Sequence, residues 1–312
     1  MSTVAADCAA PVWPVPAPAA PLDRQQAAKA LSDLVARFIG YVGRRLPQDV
    51  LDRLAELRAR DEAPPAGGAG EAMFETLDAA DRPDRLCCQD SGALRVFVRA
   101  GAGFPLRGEL EGILGAVVRE ARREAAPPRH DAVEAAGPDP VWIEWEFVPD
   151  DDRCTIDVCM AGGECSVPAS ARILASAAGD EGVAQFVLDG VASCGMNACP
   201  PLQVGVGLSS SAESAALLSR RALLRPIGSH HPDPRMAKLE MLLEQRLGNV
   251  GAGPQRAARG PSVMAVRVES SARQAPALGV GVSVGCWAHR RGTLRIGPDL
   301  SYDLPSHPGI VL

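Results

Sequence analysis

The chain has 312 residues, enough for one large domain or two modest ones with a substantial core. Hydrophobic residues make up 46% and charged residues 22%, while aromatics at 4% leave the core to Ala, Val and Leu. A net charge of −6 argues against a nucleic-acid binder, which needs a basic face toward phosphates.

The longest apolar run, residues 275–288, holds Pro276 and three glycines and is shorter than the roughly 18 residues of a membrane span. No basic stretch opens the N-terminus, and Pro11, Pro14, Pro16 and Pro18 interrupt its apolar character, so neither signal peptide nor membrane association is expected. The expected location is the cytoplasm. Residues 1–22 are Ala/Pro-rich and are expected to be disordered.

From Arg24 the pattern is helical, with Leu31, Leu34, Val35, Phe38, Ile39, Val42 and Leu46 on one face. Pro47 starts a second helix with Val50, Leu51, Leu54 and Leu57 as its buried stripe. A short helix over 71–80 and a strand over 94–99 follow the Gly/Pro break at 64–70. Leu110, Ile113, Leu114, Val117, Val118 and Ala121 mark another amphipathic helix. Residues 141–148 alternate as a strand, and 154–159 are expected to be its hairpin partner. Helices are predicted over 181–193, 212–224 and 234–246, and strands over 202–207, 262–269 and 278–285. Helices and strands mix without a regular βαβ rhythm, so the fold class is α+β.

Nine cysteines, an odd number without a signal peptide, do not read as a disulfide framework. Each could be a buried small hydrophobe or a soft metal ligand. Cys88, Cys199 and Cys286 stand apart because they lie in turn-rich contexts at element ends, where side chains can converge. Their separations, over eighty residues, are unlike those of local zinc or cluster motifs, so spacing alone leaves both readings open.

Several motifs carry a resemblance to the class I fumarase and L(+)-tartrate dehydratase family. Leu46-Pro47-Gln48-Asp49-Val50-Leu51 is similar to its Leu-Pro-Glu-Asp-Val-Leu, and Cys88-Gln89-Asp90-Ser91-Gly92 to its Cys-Gln-Asp-Thr-Gly. Residues 197–207 resemble Asn-Pro-Cys-Pro-Pro-x-x-Val-Gly-Val-Gly. Arg225-Pro226-Ile227-Gly228, Pro232-Asp233-Pro234-Arg235 and Cys286-Trp287-Ala288-His289-Arg290 complete the series in order.

The resemblance implies that residues 23–296 form an iron–sulfur α domain, the N-terminal half of single-chain class I fumarases, with 297–312 as a tail. It implies a [4Fe–4S] cluster on Cys88, Cys199 and Cys286, with one iron left open as a Lewis acid. Cys88 rather than Cys87 is the ligand, because it precedes Gln-Asp. Asp90 is expected to act in catalysis, and Gln89, Arg129, Gly163 and Gln274 to contact a C4 dicarboxylate of the fumarate/malate or L-tartrate type. The other half of the site is expected from a β subunit, in an α2β2 assembly. Gln274 stands where the family has a histidine, the Gly-Ser-Glu-Asn tail of the family's glycine loop becomes Glu164-Cys165-Ser166, and Arg259-Gly260-Pro261-Ser262 lacks the family's lysine. These departures leave a second reading, a catalytically altered paralogue that binds or regulates, or that acts on another hydroxy acid. His289 reads equally as an interior structural histidine or as a support for the metal site.

Overall fold

The computed structural model describes residues 23–59, 69–80, 87–88, 93–125, 142–248, 263–273 and 277–312. Helix α1 (Arg24–Arg44) starts where the Asp23 carboxylate accepts from the N–H groups of Gln25 and Gln26, satisfying donors that a helix start leaves orphaned. Its stripe of Leu31, Leu34, Val35, Phe38, Ile39 and Val42 is buried. Helices α2 (Gln48–Ala59) and α3 (Ala69–Ala79) follow. None of the helices among the described residues is long and apolar enough to cross a membrane.

Strands β1 (Ala93–Gly101), β2 (Trp142–Val148), β3 (Cys154–Ala161), β8 (Arg290–Ile296) and β9 (Tyr302–Asp303) form one sheet in the order β2-β1-β3-β8-β9. Helix α1 and helix α4 (Leu110–Ala125) cover one face of it, with Val96, Val98, Ile156, Val158 and Leu294 in the shared core. The expected hairpin of 141–148 with 154–159 does not form. Strand β1 lies between them, parallel to β2 and antiparallel to β3. The physical reason is the apolar run along β1: Leu94, Val96, Phe97, Val98 and Ala100 are all buried, and a central strand pairs on both edges.

The second sheet has the order β4-β7-β5-β6, from β4 (Ser170–Ala175), β5 (Leu202–Ser209), β6 (Val263–Ser270) and β7 (Ala277–Gly285). Helices α6 (Gly179–Cys194) and α8 (Pro234–Gly248) pack their Val183, Val187, Met236, Leu239 and Leu243 on one face. Helix α7 (Ala212–Ala222) lies on the other, pressed close to the sheet. That approach needs glycine: a Cβ at Gly207 or Gly281 would stand 2.0 or 2.3 Å from the Ala215 carbonyl oxygen. The exposed edge of β6 is closed by α8, whose Glu244 and Glu240 accept from the N–H groups of Val266 and Val268.

The chain passes between the sheets by two neighbouring routes. Strand β3 leads through the one-turn helix α5 (Gly163–Ser166) to β4, and β7 leads through residues 286–289 to β8. Because β3 pairs with β8 and β4 with β7, the two crossings run side by side. Strands β4 and β8 were not expected from sequence. Residues beyond 296 add β9 and bury Leu304 and His307, with the Tyr302 hydroxyl donating to the Leu312 carbonyl at 2.9 Å.

Gly207→Ala should force α7 off the sheet and cost about 2 kcal/mol or more of stability. A urea midpoint equal to the wild type's would contradict the close helix–sheet packing.

Candidate metal centre

Cys88, Cys199 and Cys286 are half-buried and pack against one apolar cluster of Leu46, Val50, Leu54, Met73, Trp287 and Ala288. Loops far apart in sequence thus bring three thiols to the rim of one core. Cys87 is instead fully buried: its thiol donates to the Gly43 carbonyl at 3.6 Å, and burial pushes its pKa up to about 12. Cys154, Cys159 and Cys165 are also buried.

Local geometry fixes the two later cysteines. Cys199 has a φ of +56°, a left-handed conformation that non-glycine residues adopt mainly where surrounding structure imposes it. A cis Pro200–Pro201 bond follows. The Cys199 carbonyl accepts from the Trp287 N–H at 3.1 Å, which ties its turn to the one carrying Cys286. Below Cys286, a Cβ at Gly285 would meet His289 Nδ1 at 2.6 Å, so the imidazole can lie in only because that position is glycine. His289 donates from Nε2 to the Leu223 carbonyl at 2.8 Å, and burial lowers its pKa to about 4. It is a neutral interior histidine that braces the turn against the end of α7.

The electrostatics of the thiols are uneven. Burial and then a hydrogen bond from its thiol to the Glu164 carboxylate, 3.5 Å away, push Cys199 up to about 11. Cys286 is pushed well up, first by donating its thiol proton to Cys165 and then by burial, against the pull of the Arg290 guanidinium and the Ala288 N–H. Cys165 accepts from both the thiol and the backbone N–H of Cys286, which lowers its pKa. Gln203, opposite Gly285 in the β5–β7 ladder, is fully buried, and its side-chain amide has no hydrogen-bond partner among the described residues.

One carboxylate anchors the surroundings. Asp49 accepts from the Ile227 N–H at 2.5 Å and pairs with Arg291, whose side chain is 3% exposed. Sequence reasoning did not assign Asp49, Arg290, Glu164 or Cys165 to the site. For the last two a signal existed, because they fall where the sequence departs from the family pattern. Gly163 opens α5 and is exposed. Gln89, Asp90, Arg129 and Gln274 lie outside the described residues.

Among the described residues, no three His, Cys, Asp or Glu side chains are gathered as ligands of a single ion. Three soft, half-buried thiols round one rim meet a different demand: an iron–sulfur cluster takes one thiolate on each of several irons, so its ligands stand apart. The donor set fits such a group.

Comparison with known proteins gives the family. The fumarate hydratase (Fumerase) family model matches residues 32–295. The chain is 44% identical over 294 residues to the L(+)-tartrate dehydratase subunit alpha of Escherichia coli strain UTI89, covering 91% of this chain and 97% of that one. Its K12 counterpart is 43% identical over the same coverage. A putative L(+)-tartrate dehydratase subunit alpha of Methanocaldococcus jannaschii is 28% identical over 281 residues, covering 86% and 98%. The chain belongs to the fumarate hydratase (Fumerase) family.

The neutral His289 gives a pH prediction. The unfolded chain takes up a proton below pH 6.5 that the folded state refuses until about pH 4, so stability falls as pH drops through that window. The loss is on the order of 3 kcal/mol. Urea midpoints at pH 7 and 4.5 should differ accordingly, and His289→Gln should narrow the difference; an unchanged gap would contradict the assignment.

Proposed function

We propose that this chain is the cluster-bearing α subunit of a hydro-lyase that removes water from a C4 hydroxy dicarboxylate, L-tartrate first and malate/fumarate second. The observation that carries the reading is the convergence of Cys88, Cys199 and Cys286 on one apolar rim. The tartrate preference follows from the names of the relatives at 43–44% identity.

In this reading Cys88, Cys199 and Cys286 hold a [4Fe–4S] cluster. When bound, it supplies a Lewis acid through the iron that no thiolate fills. The protein's own part is positioning and charge. Arg290, buried beside Cys286 and Cys87, offsets thiolate charge, and the apolar rim keeps water from the sulfurs. By the resemblance, Gln89 donates to a substrate carboxylate, Asp90 assists proton removal, and Arg129 and Gln274 bind the dicarboxylate. Gly163 leaves room at the start of α5 for that ligand.

A dianionic substrate needs cations for both carboxylates, and Arg129 is the one that the family motifs offer here. The remaining cations and the proton-abstracting base then come from a β subunit in an α2β2 assembly, in the cytoplasm. The altered-paralogue reading is kept open by Glu164 and Cys165, each of which engages a ligand cysteine.

Anaerobically reconstituted protein should show broad visible absorption and bound iron, lost in Cys88→Ser, Cys199→Ser or Cys286→Ser. Cys154→Ala, in the other core, should retain them. If Cys199→Ser keeps full iron, the ligand assignment is wrong. With L-tartrate or malate, the chain alone should turn over negligibly, and the β chain should raise activity by orders of magnitude. A reconstituted α–β complex inactive on both would favour the paralogue, whereas rapid turnover by this chain alone would sink the divided site.

A further inference from the structure

Helix α5 is a single turn lying between two of the cysteine-bearing turns. It packs against the end of β7, which runs into Cys286, and against Gly195–Ala198, which runs into Cys199. Two contacts seat it. The Cys165 side chain is buried in the core of the second sheet, and Arg95 of β1 donates from Nη2 to the Ser166 hydroxyl at 3.4 Å. Glu164 thus has a fixed place on the exposed side of the turn, where its Oε2 accepts from the Cys199 thiol at 3.5 Å. Among the described residues no arginine or lysine pairs with this carboxylate. The proposed reaction gives it no task.

We infer that Glu164 is an oxygen ligand of the iron–sulfur group, covering in the substrate-free protein the iron that Cys88, Cys199 and Cys286 leave open. The inference rests on the iron–sulfur reading. An ionised carboxylate only accepts hydrogen bonds, and a cysteine binds metal as the thiolate. Once Cys199 holds iron, Glu164 therefore loses the donor that it has in this structure. It becomes an anion beside an anionic sulfur, with no side-chain cation among the described residues to pair with. The metal is the positive charge within reach, and carboxylate oxygen is an ordinary ligand of iron.

The surroundings agree with that role. The cluster of Leu46, Val50, Leu54 and Trp287 closes the centre with apolar side chains, whereas Glu164 stands on the exposed side from which a substrate must come. Gly163, its neighbour in α5, is the residue that the resemblance assigns to the dicarboxylate. The carboxylate of Glu164 and that of the substrate then compete for one place. Their exchange balances: the iron–oxygen bond to Glu164 breaks as one to the substrate forms, and no electron moves.

The test uses the full-length chain reconstituted anaerobically with iron and sulfide, as wild type, Glu164→Gln and Glu164→Ala. Ferricyanide with a chelator removes the open iron, and the electron paramagnetic resonance signal of the three-iron cluster measures the loss. Both variants should lose that iron at least about tenfold faster than the wild type. The sign of the change is decisive. A carboxylate that only repelled the neighbouring thiolates would weaken the cluster, and removing it would slow the loss. Electron–nuclear double resonance of the reduced cluster in isotopically labelled water should show solvent oxygen on iron in Glu164→Ala and none in the wild type. Equal or slower iron loss in either variant, or bound solvent in the wild type, would overturn the inference. The wild-type resonance measurement needs no variant to fold. A wild-type chain that takes up no iron and sulfide fails earlier, at the iron–sulfur reading itself, and removes the inference with it.

Discussion

The carboxylate of Asp49 holds together three segments far apart in sequence. It accepts from Ile227 in the turn after α7 and pairs with Arg291 at the start of β8, while itself belonging to the first turn of α2. A guanidinium as buried as that of Arg291 is tolerated only with a charged partner; stripping one partner from such a pair typically costs about 3–5 kcal/mol. The consequence reaches the metal centre. Arg291 follows Cys286 by one short turn, and α2 supplies Val50 and Leu54 to the apolar rim on which Cys88, Cys199 and Cys286 rest. Fixing α2 against β8 therefore fixes the rim against the cysteine turn.

A parallel set of buried charges serves the second sheet. Glu240, 1% exposed, accepts from Arg225, from the His231 N–H and from the Val268 N–H, and Glu244 takes Arg267 and the Val266 N–H. Four residues apart on one helix, the two carboxylates face the same way and reach alternate N–H groups of an edge strand. Each thus satisfies a backbone donor and an arginine together. An apolar edge would leave those N–H groups unpaired.

Elements with a clear period were legible in the sequence. The apolar stripes of α1, α4 and α8 and the apolar runs of β5, β6 and β7 lie within a few residues of where the pattern puts them. Strands β4 and β8 were illegible for opposite reasons. Most of β4 is exposed, so no apolar alternation marks it. Strand β8 begins with Arg290 and Arg291, which read as surface residues and are buried, Arg291 in an ion pair with Asp49. The three turn cysteines stood out by context, and the family motifs named them together. No local pattern could reveal that Cys165 faces Cys286, because that contact arises from the pairing of β3 with β8 and of β4 with β7.

The same topology explains why the centre holds its thiols protonated. At Cys286, the hydrogen bond to Cys165 and burial favour the protonated thiol over the weaker pull of the Arg290 guanidinium and the Ala288 N–H. At Cys199, burial and the Glu164 carboxylate favour the protonated thiol. In the proposed iron–sulfur reading, a metal entering this centre would have to displace the proton that Glu164 holds at Cys199 and the one that Cys165 holds at Cys286. Both opposing contacts come from the single turn of α5, where the sequence departs from its relatives' motif. In that proposed reading, α5 sets how readily the centre takes up its metal.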